Sequence, residues 1–507
     1  MRNFYLAITL IFLLQNVYAQ TNSLTVKTWV GEEVTDQFNP SGRIFLFVSS
    51  ARYGEPRLNI WPNKETTIFA LNIEKWNSEE IFTFDATSEL NKTSDITLSQ
   101  IPAGKYTVQV LWDQDLTEPG IENAGNLYSS SAWIDFKNDT ILKLPLKHTV
   151  EPQKLHDHSL LKEVNIKSNL ISSWWNRDVY LKSAVLLPSG FHQNPDKKYP
   201  VRYNIGGYGG RYTRANRYVT WDKSFLNWWL SDEAPQIINV FLDGTGPYGD
   251  CYQFDSENNG PYGTALIEEL IPYIEKTFRG IAKPEFRFLD GCSTGGWVSL
   301  ALQLFYPDFF GGCFSYSPDP VDFENFQLIN IYDDDNAFIN KHGYLRPITR
   351  ELSGQPVISQ KDFVQFENVL GRNNTYTTSG GQIGAFTALF SPKGDDGLPR
   401  PLFHPQTGEI DREVAEHWRK YDLKQYVESN WDKIGEKLKG KIYIWMGDMD
   451  EFYLNTALRS LDKTFREMEN PKSDALIEYF PMTGHCSGYN DRNVLEQISE
   501  KINSLTP

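Results

Sequence analysis

The feature that most limits what this chain can fold into is a change of periodicity near residue 160. Beyond it, short apolar runs alternate with helical stretches, the pattern of a mainly parallel sheet covered by helices on both faces. Strands are expected at Val179 to Leu187, Pro200 to Ile205, Gln236 to Leu242, Phe286 to Leu289, Gly312 to Tyr316, Lys441 to Met446 and Ala475 to Phe480. Between the third and fourth, Leu266, Leu270, Ile274 and Phe278 recur every four residues with Ile267 and Ile271 beside them, which predicts a helix with one face on the sheet and Pro272 as its irregularity. Residues from about 318 to 438, with Asp333-Asp334-Asp335, fit the alternation poorly. They are expected to be an insertion over the carboxyl edge of the sheet, serving as lid or pocket wall.

Ahead of the change the chain reads differently. The runs SLTVKTWV, GRIFLFVSS, EEIFTFDAT, GKYTVQVLWDQD and DTILKLPL are short, β-like and separated by turn residues. They predict a small β-sandwich whose sheets bury one face each, an accessory domain over residues 20–150 followed by a linker with Pro152, His156 and His158. Residues 1–19 have the form of an export signal: an apolar stretch from Tyr5 to Leu14, then Val17 and Ala19 before a cleavage point. A secreted or periplasmic protein is therefore expected. No later apolar run reaches the roughly 18 residues that span a bilayer, so no stable membrane insertion is expected. With 507 residues, two or more domains are the natural prior, and residues 151–507 would form the larger one. A net charge of −16 opposes binding to nucleic acid.

The chemistry concentrates where Phe286 to Leu289 runs into Asp290-Gly291-Cys292-Ser293-Thr294-Gly295-Gly296, with an apolar helix following near Trp297. A serine between glycines two residues to either side, on a tight turn from strand to helix, is the arrangement of a nucleophile presented at the top of a sheet. Such a serine needs a base and the base needs an orienting carboxylate, in the chain order serine, acid, histidine. Among eight histidines, His485 alone follows a late strand, in Thr483-Gly484-His485-Cys486. Asp448, Asp450 and Glu451 compete for the acid after Lys441 to Met446. Asp450 is favoured, because the extra residues let its carboxylate turn back towards the histidine loop. The oxyanion donors are expected to be the Thr294 N–H and one from Gly206-Gly207-Tyr208-Gly209-Gly210, with Tyr208 or Gly207 as candidates. Arg211, Arg214 and Arg217 follow that loop and are candidates to bind a carboxylate or acidic sugar, with plain charged surface as the alternative. Trp297 is a further candidate contact.

Cys292 precedes the serine and Cys486 follows the histidine. An assembled site brings them together, and in an exported protein such thiols tend to oxidise, so a Cys292–Cys486 disulfide is expected against the alternative of two free thiols. Cys251 and Cys313 are less legible. The acidic runs at Asp333–Asp335 and Asp448–Glu451 lack the spacing of a calcium loop, and no cofactor or metal is implied.

From about residue 160 onward the chain resembles the esterase D-like family of esterases, in YPVRYNIGGYGG, YGTALIEELIPYIEKTF, the Ser293 turn, GDMDEFYL and TGHCSGY. The resemblance implies an α/β-hydrolase fold after the β-sandwich, with Ser293, Asp450 and His485 as the triad. The Cys-Ser, Asp, His-Cys arrangement is similar to that of tannases and some fungal feruloyl esterases, in which a disulfide joins the neighbours of the triad. Two features depart from the family: Gly206 stands where a histidine is usual, and the insertion is long. The expected function is hydrolysis of a carboxylic ester, an acyl or aromatic ester on a carbohydrate included, through an acyl-enzyme. The alternatives are acyl transfer by the same fold and a non-catalytic carbohydrate-binding protein.

Overall fold

A computed structural model describes residues 23–505 apart from 53, 116 and 117. The export signal expected over residues 1–19 lies outside the described residues.

Residues 24–149 form two sheets. The smaller places Leu24–Thr28 between Phe82–Phe84 and Thr140–Lys143; the larger is built around Gly104–Asp113, Gly42–Ser49 and Thr66–Ile73. Leu24, Val26 and Phe84 from the first meet Ile44, Leu46, Val48, Val110 and Trp112 from the second in one apolar cluster. A single buried face per sheet was expected, but Gly42–Ser49 is buried at every position. The reason lies outside the unit. Phe45 and Phe47, on the opposite face from Ile44 and Leu46, pack with Phe366, Val369 and Leu370 of the distant helix Gln360–Leu370.

The larger body is an eight-stranded sheet: β1 Leu161–Lys167, β2 Tyr180–Leu186, β3 Val201–Ile205, β4 Ile238–Leu242, β5 Arg287–Ser293, β6 Gly312–Pro318, β7 Ile442–Gly447 and β8 Leu476–Phe480. The order is β1-β2-β4-β3-β5-β6-β7-β8. β2 runs antiparallel to both neighbours and the strands from β4 to β8 are mutually parallel. All seven predicted strands are present, and β1 is an eighth that was not predicted. The loops after β3, β5, β6, β7 and β8 all leave the carboxyl edge, where ligands bind in open parallel sheets.

The predicted helix is Tyr262–Ala265 and Ile271–Thr277 joined by a π-helical turn at Leu266–Leu270. Pro272 has no N–H to donate to the preceding turn, and the wider turn absorbs the missing bond. The segment between β6 and β7 holds a hairpin, Pro347–Arg350 with Pro356–Ser359, and helices Gln360–Leu370, Gln382–Phe390, Arg412–Trp418 and Leu423–Leu438. Leu423–Leu438 packs beside Thr294–Phe305 and Leu454–Glu467 as an ordinary crossover helix, with Val427, Trp431, Ile434 and Leu438 buried. The rest is welded to the body through aromatic rings: Phe390 lies 5.3 Å from Trp297 and 6.3 Å from Tyr252, and Phe386 lies 5.7 Å from Tyr252. No helix among the described residues is long and apolar enough to cross a membrane.

Candidate active site

β5 ends in Ser293, which has φ 61° and ψ −125°, and Thr294–Phe305 starts at once. For a serine this backbone is unfavourable by about 1–3 kcal/mol and persists only where the surroundings enforce it. Here they do. A Cβ on Gly291 would lie 2.5 Å from the Gly295 carbonyl carbon, and one on Gly295 would lie 2.2 Å from the Ile205 oxygen. Only glycines allow strand, turn and helix to pass this closely.

His485 sits in the loop after β8, and its Nδ1 is 2.6 Å from Asp450 Oδ2. Asp450 is fully buried and accepts the Phe452 N–H on its other oxygen at 2.9 Å. The two competing acids do different work. Asp448 accepts the N–H of Met482 at 2.6 Å, and Glu451 that of His485 itself at 2.5 Å. Both hold the backbone of the histidine loop, while Asp450 holds the ring. Burial pushes the imidazole pKa down. The hydrogen bond and charge of Asp450, with smaller contributions from Asp319 and Glu451, outweigh burial and raise it above the ordinary 6.5.

Cys292 and Cys486 form a disulfide with Cα atoms 5.9 Å apart, across a sequence separation of 194. The Cys486 N–H also donates to Ser317 Oγ at 3.0 Å, so the histidine loop is fastened to both β5 and β6. Cys292, His485 and Cys486 bring potential metal ligands within 4.8 Å of one another, but the two sulfurs are committed to the bridge. Cys251 and Cys313 are buried and unbridged, and burial pushes the Cys313 thiol up to about 12.

The glycine loop after β3 lies over the serine turn. A Cβ on Gly207 would stand 3.6 Å from the Cys292 oxygen and 3.8 Å from Ser293 Cβ. The loop is held by Gly210 N–H on Gly207 O (2.9 Å), by Gly209 N–H on buried Asp250 (3.0 Å), and by the Tyr208 hydroxyl on Gly380 O. Thr294 is the first residue of its helix, where an N–H has no acceptor within the helix.

The structure gives each of the four predicted contacts a partner within the fold. Arg214 is half-buried and donates to the carbonyls of Asn204 (2.8 Å), Leu242 (2.7 Å) and Arg211 (2.9 Å), which makes it a strut under the glycine loop. Trp297 has no exposed surface and packs among Tyr252, Phe254 and Phe390. Arg211 pairs with Asp243 at 3.2 Å and lines a separate cleft with Lys182 and Trp175. Arg217 pairs with Asp491 at 3.1 Å. In the acidic run, Asp334 pairs with Arg346 and Asp335 with Arg412, both at 2.9 Å.

Sequence reasoning missed Asp319, the residue after β6. Its Oδ1 accepts from Ser293 Oγ at 3.4 Å, and its Oδ2 accepts from Tyr252 Oη at 2.7 Å and Thr294 Oγ1 at 2.9 Å. Burial raises its pKa, opposed by these hydrogen bonds and by the nearby imidazole. An acid at the carboxyl end of the strand beside β5 was the available signal. Ser293, Asp319 and His485 open onto one cavity of about 220 Å³, whose walls are Tyr208, Ile348, Phe363, Ile383, Phe386, Phe452, Leu454 and Trp61, with Gln327 and Gln382 as further polar groups. The Gln327 side chain is buried and its Oε1 has no hydrogen-bond partner.

With this geometry in place, the comparison with protein families is decisive: residues 177–490 match the model of the family described as "Putative esterase". The chain belongs to this esterase family. By class it is an ester hydrolase, and its sheet has the strand order of an α/β-hydrolase fold. Among solved structures, it is similar to a ferulic acid esterase at 17% identity, covering 67% of this chain and 98% of that one with a TM-score of 0.41. It is also similar to the Staphylococcus aureus fluorophosphonate-binding serine hydrolase FphF (14% identity, 68% and 98% covered, TM-score 0.40). An S-formylglutathione hydrolase from Agrobacterium tumefaciens matches at 12% identity, with 69% and 96% covered and a TM-score of 0.36. No curated protein sequence matches the chain.

Proposed function

We propose that this esterase cleaves its substrate through an acyl-enzyme on Ser293, with His485 as base and Asp450 orienting it. The observation that carries the reading is the 2.6 Å His485–Asp450 pair opening onto the same cavity as a serine held at positive φ. Ser293 Oγ attacks the ester carbonyl as His485 Nε2 takes its proton. The carbon–oxygen bond to the alcohol then breaks while His485 returns that proton to the leaving oxygen. Water, deprotonated by the same nitrogen, attacks the acyl-enzyme and releases the acid. With Nδ1–H held by Asp450, the imidazole keeps Nε2 free for these transfers. The Thr294 N–H and the Tyr208 or Gly207 N–H serve as the oxyanion donors, each worth about 3 kcal/mol in the transition state.

An aromatic-lined cavity supports a substrate with a sizeable acyl or aromatic group, and a carbohydrate ester is the class we favour. The same reading takes residues 1–19 as an export signal, 20–150 as a β-sandwich accessory domain and 151–507 as the catalytic domain, with the segment after β6 as a wall of the pocket. The test is a hydrolysis screen over acetyl, feruloyl, methyl-uronate and short-acyl esters with wild type and Ser293→Ala, together with labelling by an organophosphonate probe. A drop of at least 10⁴-fold in the variant and labelling at Ser293 are expected. Residual hydrolysis near the wild-type rate, or no label on folded protein, overturns the assignment.

A further inference from the structure

Trp61 belongs to the N-terminal unit, more than two hundred residues before the serine, yet it lines the cavity that holds Ser293 and His485. Its indole meets Phe363 edge-on at 5.3 Å and Phe452 edge-on at 6.0 Å, and Phe452 in turn meets the His485 ring edge-on at 4.9 Å. These contacts join three separate parts of the chain: the N-terminal unit, the insertion helix Gln360–Leu370 and the loop after β7.

The position of Trp61 is fixed by what surrounds it. Ile60 packs against the buried cluster that joins Phe45 and Phe47 to Phe366 and Val369. The buried Arg43 guanidinium donates to Val369 O at 2.9 Å and to Asn374 at 2.8 Å. An interface built from buried apolar area and a satisfied guanidinium does not slide. Trp61 itself keeps 41% of its surface exposed, so ring surface is left for a ligand. The cavity, about 220 Å³, is larger than the roughly 150 Å³ apolar cavity that accepts benzene. An acetyl group leaves most of it unfilled.

We propose that Trp61 is a specificity-determining residue of the active site, through which the N-terminal unit selects esters carrying a flat ring over esters with small substituents. The proposal rests on the reading of Ser293 as nucleophile. Rings prefer offset or edge-on contact with an indole, an arrangement that a methyl group cannot exploit.

The test uses the full chain and three esters: ethyl acetate, ethyl cinnamate with the ring on the acyl side, and phenethyl acetate with the ring on the alcohol side. In Trp61→Ala, the ratio of kcat/KM for a ring-bearing ester to that for ethyl acetate is expected to fall about tenfold, mostly through KM, in the arm whose ring occupies the cavity. Trp61→Phe should retain most of the ratio and Trp61→Leu, which keeps apolar volume without a ring, should lose it. A partly exposed side chain makes the leucine variant safe for folding, and its thermal unfolding checks this. Ratios unchanged in both arms, or an equal loss on all three esters, overturn the proposal. Failure of the wild type to hydrolyse any ester, or full activity in Ser293→Ala, overturns the nucleophile assignment and this proposal with it.

Discussion

Replacing Cys292 and Cys486 together by alanine separates two effects of the bridge. It closes a loop of 194 residues, and chain entropy alone makes such a closure worth about 5 kcal/mol to the folded state. At about 2.1 cal/mol/K per residue, the unfolding entropy of a body this size is ~0.7 kcal/mol/K, so the double variant should melt about 7 °C below wild type. The effect on activity should be partial. Three other tethers remain on the histidine loop: Cys486 N–H on Ser317, Met482 N–H on Asp448 and His485 N–H on Glu451. A shift of the imidazole by a fraction of an ångström then costs about 10- to 100-fold in kcat/KM at 25 °C, without unfolding. Calorimetry and ester hydrolysis on the same preparation decide. Melting within 2 °C of wild type refutes the entropic argument, and full activity in a protein of lowered stability refutes the positioning role.

The acid limb of the pH profile tests the electrostatics of His485. The neutral imidazole is the working form and its pKa is raised, so kcat/KM should rise with pH and reach half its plateau above pH 6.5. Asp319→Asn removes one of the charges that raise it, so the limb should move to lower pH; an unmoved limb denies that Asp319 acts on His485. Arg202 is buried between Asp290, at 2.5 Å, and Asp491, at 2.7 Å. Arg202→Met leaves both carboxylates without their shared cation and should cost about 3–5 kcal/mol, or ~4–7 °C in melting temperature. A change below 1 °C in calorimetry contradicts this.

The three residues assigned to the triad were readable because each is tied to a local pattern: a strand running into a serine between glycines, and loops that follow the last two strands in a known chain order. Asp319 has no such pattern. It is a lone acid between Pro318 and Pro320, and only the adjacency of β5 and β6 brings it to the serine. Trp61 lay further out of reach, because contact across hundreds of residues leaves no periodicity behind. One signal was present and misjudged. Ile44 to Val48 is apolar at every position, which indicates a strand covered on both faces, and the second cover turned out to be a helix of the insertion. For the arginines after the glycine loop, charge type alone leaves ligand binding and plain charged surface both open. The folded chain needed a donor for three carbonyls at that point, and Arg214 satisfies them.

That need for donors and acceptors beneath loops recurs around the cavity. Asp250 accepts the N–H groups of Gly209 and Tyr252, Glu451 and Asp448 accept from the histidine loop, and Glu367 accepts from Ile383 and Gly384 at the start of Gln382–Phe390. Burial raises Asp250 and Glu367 to about 7 against the pull of those hydrogen bonds. In each case a carboxylate accepts main-chain N–H groups that no sheet or helix pairs. The arrangement has a consequence for an anionic transition state. Negative charge next to the oxyanion is unfavourable, yet these acids direct their oxygens at main-chain N–H groups behind the loops, whereas Asp319 Oδ1 faces the serine. Under the proposed mechanism Asp319 is therefore the carboxylate whose charge the reacting ester meets directly, and the pH profile of its asparagine variant reads that charge more cleanly than any change to the tethers behind.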